Sequence, residues 1–406
     1  MARVLMVAYS CDPDSSSEGA VGWEFASRIA RRHSVMLLAR PTARRAIEDR
    51  LSSDRSMDLS VEYHEMEGLR RLKQLGLPVS NLRYLAWNHR VADRVADLEG
   101  EFDVVHHTTW VRHWMPSAAS GARTTPFVWG PVGAAEQPPM GLVRTLGWRG
   151  LAGEALRMAG PPLLRLDPLM RQSMERVDHA VASSRETADL MLRRGVDTSL
   201  APSVGFEPSE FDLGDLGEPV YDFVSVGRLL HWKGFHLGLA AFARITDQRS
   251  RYLVVGEGPA ESRLRNLADD LGITARVEFA GRLPRHEVLR RLGQSRVLVH
   301  PSLHDSGGFV VVEALALGVP VVSLDIGGPA YLAGDGGVAV DPRPAAGVIE
   351  RLAEAMVDVG ATRQDFSDRA RHRAYESLAW ERIIDVYDRV YASLREDSGG
   401  SRPPAR

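Results

Sequence analysis

Residues 297–328 read VLVHPSLHDSGGFVVVEALALGVPVVSLDIGG, and this stretch decides the fold. The apolar run Val297–Val299 predicts a buried strand, His300–Gly308 a polar turn, Phe309–Leu317 a helix and Val319–Leu324 a second strand. Strand, turn, helix and strand in that order form the repeating unit of a parallel sheet. The turn carries one acid, Asp305, and the helix another, Glu313, with seven residues between them. Gly307 and Gly308 lie where the first amides of the helix, those of Phe309 and Val310 included, have no intrahelical acceptor. Such amides, backed by the helix dipole, suit a phosphate or a sugar hydroxyl, and glycine lets a ligand come close to the backbone. Glu313 sits in the second turn of an otherwise apolar helix, so its charge needs a partner. A carboxylate there can accept two hydrogen bonds from a vicinal diol such as a ribose. Taken alone, Asp305 or Ser306 reads better as a helix cap than as a ligand-binding group.

Working back towards the N-terminus, the same unit repeats. YDFVSVGRLLHWKGFHLGLAAFARI, RYLVVGEGPAESRLRNLADDLG and RVEFAGRLPRHEVLRRLGQS each place an apolar strand before a helix, so residues 220–375 predict one doubly wound parallel domain. In VGRLLHWKGF, Gly227, Arg228 and Lys233 surround a strand end and precede the glycine that starts a helix. Lys233 is one of only two lysines; the other is Lys73, and every other basic side chain apart from histidine is arginine. Two cations beside helix amides suit a nucleoside diphosphate whose charge grows as its bond to a sugar breaks. For most such pairs the plainer reading is a solvated surface. Gly256-Glu257-Gly258-Pro259 ends the next strand and Arg282-Leu283 the one after.

Residues 1–202 predict a second domain of the same kind. Val4–Ala8 and Val35–Ala39 read as strands around a helix at Trp23–Arg32, joined by the polar loop SCDPDSSSEGAVGW. Glu18 and Gly19 fall in that loop, at the sheet edge where open α/β folds bind ligands. Composition alone serves a surface loop as well as a binding loop. No GxGxxG fingerprint follows the first strand, which lowers the dehydrogenase reading. FDVVHHTTW ends another strand, and its adjacent histidines, His106 and His107, should point to opposite sides of an extended chain. A lone histidine there is more often packed or solvated than catalytic. The segment 136–170, rich in proline, glycine, arginine and leucine, reads first as an amphipathic helix buried in the domain; a lid, or a patch resting on a membrane surface, is the alternative. Residues 203–219 read as a linker, 376–394 as a helix crossing back to the first domain, and 395–406 as a disordered tail.

Composition narrows the function classes. A chain of 406 residues favours two domains, and 44% hydrophobic with 25% charged residues is ordinary for a globular protein. The net charge of −3 gives no reason to expect nucleic acid. A single cysteine, Cys11, excludes a disulfide framework and a zinc–thiolate site, and no metal cluster is visible. No long apolar segment is present, so a cytoplasmic location is expected, with peripheral contact to the inner membrane face through 136–170 as the variant.

The acid, seven residues and glutamate of 305–313, together with the GR-x4-KG pattern of 227–234, resemble the family-4 retaining glycosyltransferases. The resemblance runs from about residue 2 to about residue 393. It departs at Asp305, where that family usually has glutamate, one methylene longer. It implies the GT-B architecture, two Rossmann-like doubly wound domains facing across a cleft. It implies transfer of a sugar from a nucleoside-diphosphate sugar, UDP favoured and GDP second, to a hydroxyl on a glycan, lipid or small molecule, with retention and with no metal or other cofactor. By this resemblance Arg228 and Lys233 clamp the diphosphate, Gly256 and Gly258 form the nucleotide-side loop, and Arg282 and Leu283 hold the base. Glu313 takes the ribose. Asp305 and the amides of Gly307, Gly308, Phe309 and Val310 hold the sugar. One histidine acts near the donor sugar, His107 favoured over His106, and Glu18 and Gly19 meet the acceptor. The rivals are a nucleotide-sugar-binding protein without turnover and a nucleotide-sugar epimerase on a similar scaffold.

Overall fold

The computed structural model describes residues 1–15, 17–66, 80–147, 150–155, 157, 166–214 and 216–399, with the side chains of 397–399 excepted. The chain divides into two compact units. One comprises Met1–Ala135, Met158–Ser203 and Ile384–Arg406, and the other Glu136–Arg157 and Val204–Ile383.

The N-terminal unit is built on seven strands: β1 (Arg3–Ala8), β2 (Ser34–Ala39), β3 (Leu59–Tyr63), β4 (Val104–His107), β5 (Phe127–Val132), β6 (His179–Ala182) and β7 (Asp197–Leu200). They lie in the order β3-β2-β1-β4-β5-β6-β7, and every pairing is parallel. The C-terminal unit has β8 (Tyr221–Val226), β9 (Tyr252–Val255), β10 (Val277–Gly281), β11 (Ser295–His300), β12 (Val321–Leu324) and β13 (Gly337–Val340). Their order is β10-β9-β8-β11-β12-β13, again all parallel. These are the two doubly wound parallel sheets that the sequence resemblance implies.

Parallel strands are covered on both faces, which is why their sequences are nearly continuous apolar runs rather than alternating ones. Val297, Leu298 and Val299 on β11 are wholly buried, each worth about 1.5–3 kcal/mol of burial. Because all strands of a sheet point the same way, their C-terminal ends share one edge. The strand order reverses between β1 and β4 in one unit and between β8 and β11 in the other. Outside those reversals lie the crevices that open α/β sheets use for ligands.

The element boundaries differ from the sequence reading in specific places. The helix expected at Phe309–Leu317 spans Phe309–Ala316, and β11 extends beyond the expected Val297–Val299 to Ser295–His300. The helix expected from Trp23 starts at Glu18, so Glu18 and Gly19 belong to its first turn rather than to the loop. Residues Glu136–Arg157 group with the C-terminal unit, not with 1–202, because Leu142, Val143 and Leu146 join that unit's core beside Leu229 and Phe235. Residues 148–149, 156 and 158–165 of the segment 136–170 lie outside the described residues. Met140, Leu151 and Leu166 in it are exposed. The terminal helix spans Trp380–Gly399 and passes into the N-terminal unit at Ile384. Arg32 there donates to Asp385 and Asp388, each at 2.6 Å, and Tyr387 and Tyr391 are buried. The tail was expected from 395, yet the helix continues to Gly399; residues 400–406 lie outside the described residues. Among the described residues no helix is long and apolar enough to cross a membrane.

Candidate functional site

In the C-terminal unit the segments leaving β8 and β11 flank the strand-order reversal. After β8 the chain turns through Gly227 and Arg228 and reaches Lys233 in a single 3₁₀ turn, His231–Lys233. Gly234 then starts the helix Phe235–Phe242 with φ at 73°. A Cβ at Gly234 would stand 1.8 Å from the Pro301 carbonyl oxygen, so only glycine lets the β8 and β11 loops touch here. That contact brings Lys233 against Asp305: the Lys233 ammonium donates to an Asp305 carboxylate oxygen, with both side chains about four-fifths covered. Burial would raise the Asp305 pKa, but Lys233 and His300 outweigh it and hold the group at about 2. His300, at the end of β11, lies 3.3 Å from the same oxygen; burial lowers its pKa despite that neighbour, leaving it neutral near pH 7. Arg228 is exposed and makes no ion pair among the described residues, so its cation is uncommitted.

The β9 loop locks onto the β8 loop. Leu229 donates to the Glu257 carbonyl at 2.9 Å and Ala260 donates back to Leu229 at 3.0 Å. Gly256 has φ 133° and lies so near Gly227 that a Cβ would fall 2.0 Å from its carbonyl oxygen. At Gly258 a Cβ would fall 2.4 Å from the Leu229 carbonyl oxygen. Arg282 and Leu283 follow directly after β10, on the same sheet edge.

Helix Phe309–Ala316 is capped by Gly308 with no side-chain acceptor. Val311 and Val312 donate to Gly308, while the amides of Gly307, Gly308, Phe309 and Val310 find no carbonyl among the described residues. Asp305 therefore does not act as the cap that the sequence left open; its carboxylate is engaged by Lys233 and His300. Glu313 has the partner its burial demands: Arg285 lies at 3.4 Å, shared with Glu210 at 2.8 Å. Burial raises the Glu313 pKa, and Arg285 counters it.

Several residues of this region escaped the sequence reading. Ser306 donates to Glu136 at 3.1 Å, and Glu136 is only 2% exposed. Glu154, in the helical stretch 150–155, accepts from His304 at 2.8 Å and from Arg157 at 2.8 Å. Burial would raise its pKa, but His304 and Arg157 hold it at about 2. His304 in turn stacks on Trp232 at 5.5 Å. The acids lie far from these loops in sequence and carry no local pattern. Only the neighbourhood of His304 to Asp305, and of Trp232 to Lys233, could have drawn attention to the second pair. Among the described residues no three His, Cys, Asp or Glu side chains are arranged to hold a metal ion.

In the N-terminal unit, β4 runs on through His106 and His107, which are therefore interior strand residues rather than loop residues. Their side chains do take opposite directions. His106 donates from Nε2 to the Gly130 carbonyl at 2.8 Å, so its Nδ1 accepts from the Tyr391 hydroxyl at 2.5 Å. His107 pairs through Nδ1 with the Ser117 hydroxyl at 2.6 Å and lies 6.3 Å from the Tyr84 ring, while its Nε2 has no hydrogen-bond partner among the described residues. Both rings are wholly buried, and burial lowers their pKa to about 4 and about 3. The side chains that follow β4 at the edge itself are Thr108, Thr109 and Trp110. Trp110 holds φ at 60° and gives its N–H to Glu18 at 2.5 Å. Gly19 packs against the loop before it, where a Cβ would meet Asp12 at 2.9 Å.

Residues 212–373 match the family described as glycosyl transferases group 1. Among curated proteins, the 2-deoxystreptamine glucosyltransferase of Streptomyces kanamyceticus is 32% identical over 188 residues, 43% of this chain and 48% of its own length. A glycogen synthase of Mycobacterium tuberculosis is 28% identical over 218 residues, 53% of this chain and 50% of its own. The chain thus spans about half the length of these curated relatives. Among solved structures, HepE of Anabaena, in complex with UDP and glucose, superposes with a TM-score of 0.60 at 17% identity, covering 97% of this chain and 100% of that one.

Proposed function

We propose that this chain is a family-4-like GT-B glycosyltransferase that moves a sugar from a nucleoside-diphosphate sugar to a hydroxyl-bearing acceptor with retention at the anomeric carbon. The observation that carries the reading is the arrangement at the β8/β11 reversal. An uncommitted Arg228, the Lys233–Asp305 pair and the open amides of Gly307–Val310 converge on one sheet edge. Cations and amide dipoles fixed in advance favour a departing diphosphate without reorganising as its charge grows. UDP is the first choice of donor base and GDP the second. HepE being solved with UDP and glucose, and one relative being a glucosyltransferase by name, support a UDP-linked hexose.

In this reading Arg228 and Lys233 hold the diphosphate and Glu313 the ribose. Gly256, Gly258, Arg282 and Leu283 line the nucleotide, and Asp305 with the amides of 307–310 holds the sugar hydroxyls. Lys233 keeps Asp305 ionised, and an ionised carboxylate accepts from hydroxyls. No carboxylate pair suited to double displacement is assigned. The bond from C1 to the phosphate oxygen breaks while the acceptor oxygen bonds C1 on the same face, and the acceptor proton passes to the departing phosphate. The two cations supply the charge stabilisation, and no metal is required. Within the N-terminal unit, His107 in preference to His106 stays assigned to catalysis, and Glu18 and Gly19 to the acceptor. The setting is cytoplasmic.

A donor-only hydrolysis assay tests the proposal, because a transferase without acceptor leaks sugar to water. Release of sugar and nucleoside diphosphate that depends on Lys233 is expected. Tight diphosphate binding with no release over days would point to the binding protein instead, and a changed sugar on an intact donor to the epimerase.

A further inference from the structure

At the C-terminal edge of the N-terminal unit's sheet, four side chains that the sugar-transfer reading does not use come together. Tyr9 follows β1, Arg40 follows β2, Glu65 lies beyond β3, and Arg83 sits in the first turn of the helix Ser80–Asp97. The Arg40 guanidinium lies 3.9 Å over the Tyr9 ring and spends one donor on the Tyr9 carbonyl at 2.6 Å. Its remaining donors meet no acceptor among the described residues. Arg83 is 12% exposed and among the described residues reaches only Glu65, at 3.7 Å, while its buried Nε finds no partner among them. Glu65 pairs with Arg83 and reaches Arg40 only through its field, so two guanidiniums face one carboxylate and one positive charge is left over. Burial lowers the Arg40 pKa, and the neighbouring Arg83 adds to that, so the two cations repel each other at short range.

Half-buried cations that repel each other and leave donors unsatisfied are costly to a folded chain. The surroundings are built for more than solvation. Tyr9 is walled by Tyr84 at 5.1 Å, Trp87 at 5.4 Å and Trp110 at 5.1 Å. Trp110 keeps a left-handed backbone, a strained conformation that gathers at ligand sites.

We propose that Arg40 and Arg83 form a phosphate-binding site, with the Tyr9–Trp110 wall taking the group that the phosphate is attached to. Two planar forks match phosphate oxygens in a way that a single ammonium does not. The ligand class is a phosphate monoester, either a soluble sugar phosphate or a lipid headgroup.

Inorganic phosphate is the probe, titrated into the full chain by calorimetry against matched chloride. The C-terminal unit offers a rival phosphate site, so the titration is repeated with Lys233→Ala. Saturable binding that survives Lys233→Ala and weakens at least tenfold in Arg40→Gln and in Arg83→Gln is expected. Glu65→Gln, which removes the competing carboxylate, should tighten phosphate, an outcome that a merely structural cluster would not give. Binding abolished by Lys233→Ala alone, or unmoved by both arginine variants, or weakened by Glu65→Gln, overturns the proposal. Tighter binding of a soluble sugar monophosphate assigns the first source. Arginine-dependent sedimentation with phosphatidic acid vesicles assigns the second.

Discussion

Lys233→Ala should weaken nucleoside-diphosphate binding while leaving the nucleoside almost untouched. Losing one charge-assisted contact costs about 1.5–3 kcal/mol, roughly a 13- to 160-fold rise in Kd. The structure adds a second effect. Asp305 is held at about 2 against an ordinary 3.8, and that depression corresponds to about 2 kcal/mol of stability. The unfolded chain takes up the proton first as pH falls through 3.8, so this stability is present above that pH and is lost towards 2. Lys233→Ala removes most of it and leaves a covered carboxylate with only His300 beside it, facing an anionic ligand. The double variant Lys233→Ala with Asp305→Asn should therefore bind the diphosphate better than Lys233→Ala alone. Calorimetric titration with UDP and with uridine, and urea unfolding at pH 7 and pH 3, read these effects. UDP affinity equal in parent and variant would refute the clamp. An unchanged unfolding free energy at pH 7 would refute the ion pair.

Glu313→Gln should shift preference towards 2′-deoxy donors, because an amide no longer accepts from both ribose hydroxyls; an unchanged preference would make Glu313 only a partner of Arg285. His106→Ala should cost about 2–5 kcal/mol, since it opens a cavity and strands two hydrogen-bond partners, whereas His107→Ala should lower turnover with a smaller stability loss. Kinetics and unfolding of both variants would show the reverse pattern if the roles are exchanged. Both histidines titrate lower in the folded state, at about 4 and about 3, than the ordinary 6.5. The unfolded state is thus protonated first, and stability should fall as pH drops below 6.5, by up to about 1.4 kcal/mol per pH unit for each ring. His106→Gln should flatten that slope in urea titrations between pH 7 and pH 5.

The sheets were legible because burial on both faces writes each parallel strand as an apolar run and each crossover as an amphipathic helix. The cluster around Lys233 was legible for a similar reason: strand ends and glycine turns mark the binding edge of an open sheet. What lay hidden was tertiary. His106 and His107 read as edge residues because nothing local marks the end of β4, and the strand simply continues through them. Their opposed directions followed from the alternation of an extended chain, and the structure has them so. The attachment of Glu136–Arg157 to the later unit depends on Leu142, Val143 and Leu146 filling a core built mostly from residues after 220. No period in the segment itself could announce that. Glu136 and Glu154 reach Ser306 and His304 across more than a hundred residues, a separation at which sequence patterns carry no information.

Everything proposed for the C-terminal unit depends on its binding a nucleoside diphosphate at the β8/β11 reversal. Thermal unfolding of the full chain with nucleosides, monophosphates and diphosphates of uridine, guanosine and adenosine tests it most directly. Ligand that binds only the folded state raises stability by RT ln(1 + [L]/Kd), about 2.7 kcal/mol at a hundredfold excess over Kd. A saturable shift is expected with at least one diphosphate, UDP foremost, larger than the shift with its nucleoside or monophosphate and lost in Lys233→Ala. No shift with any diphosphate, or the same shift with nucleoside and diphosphate, would contradict it.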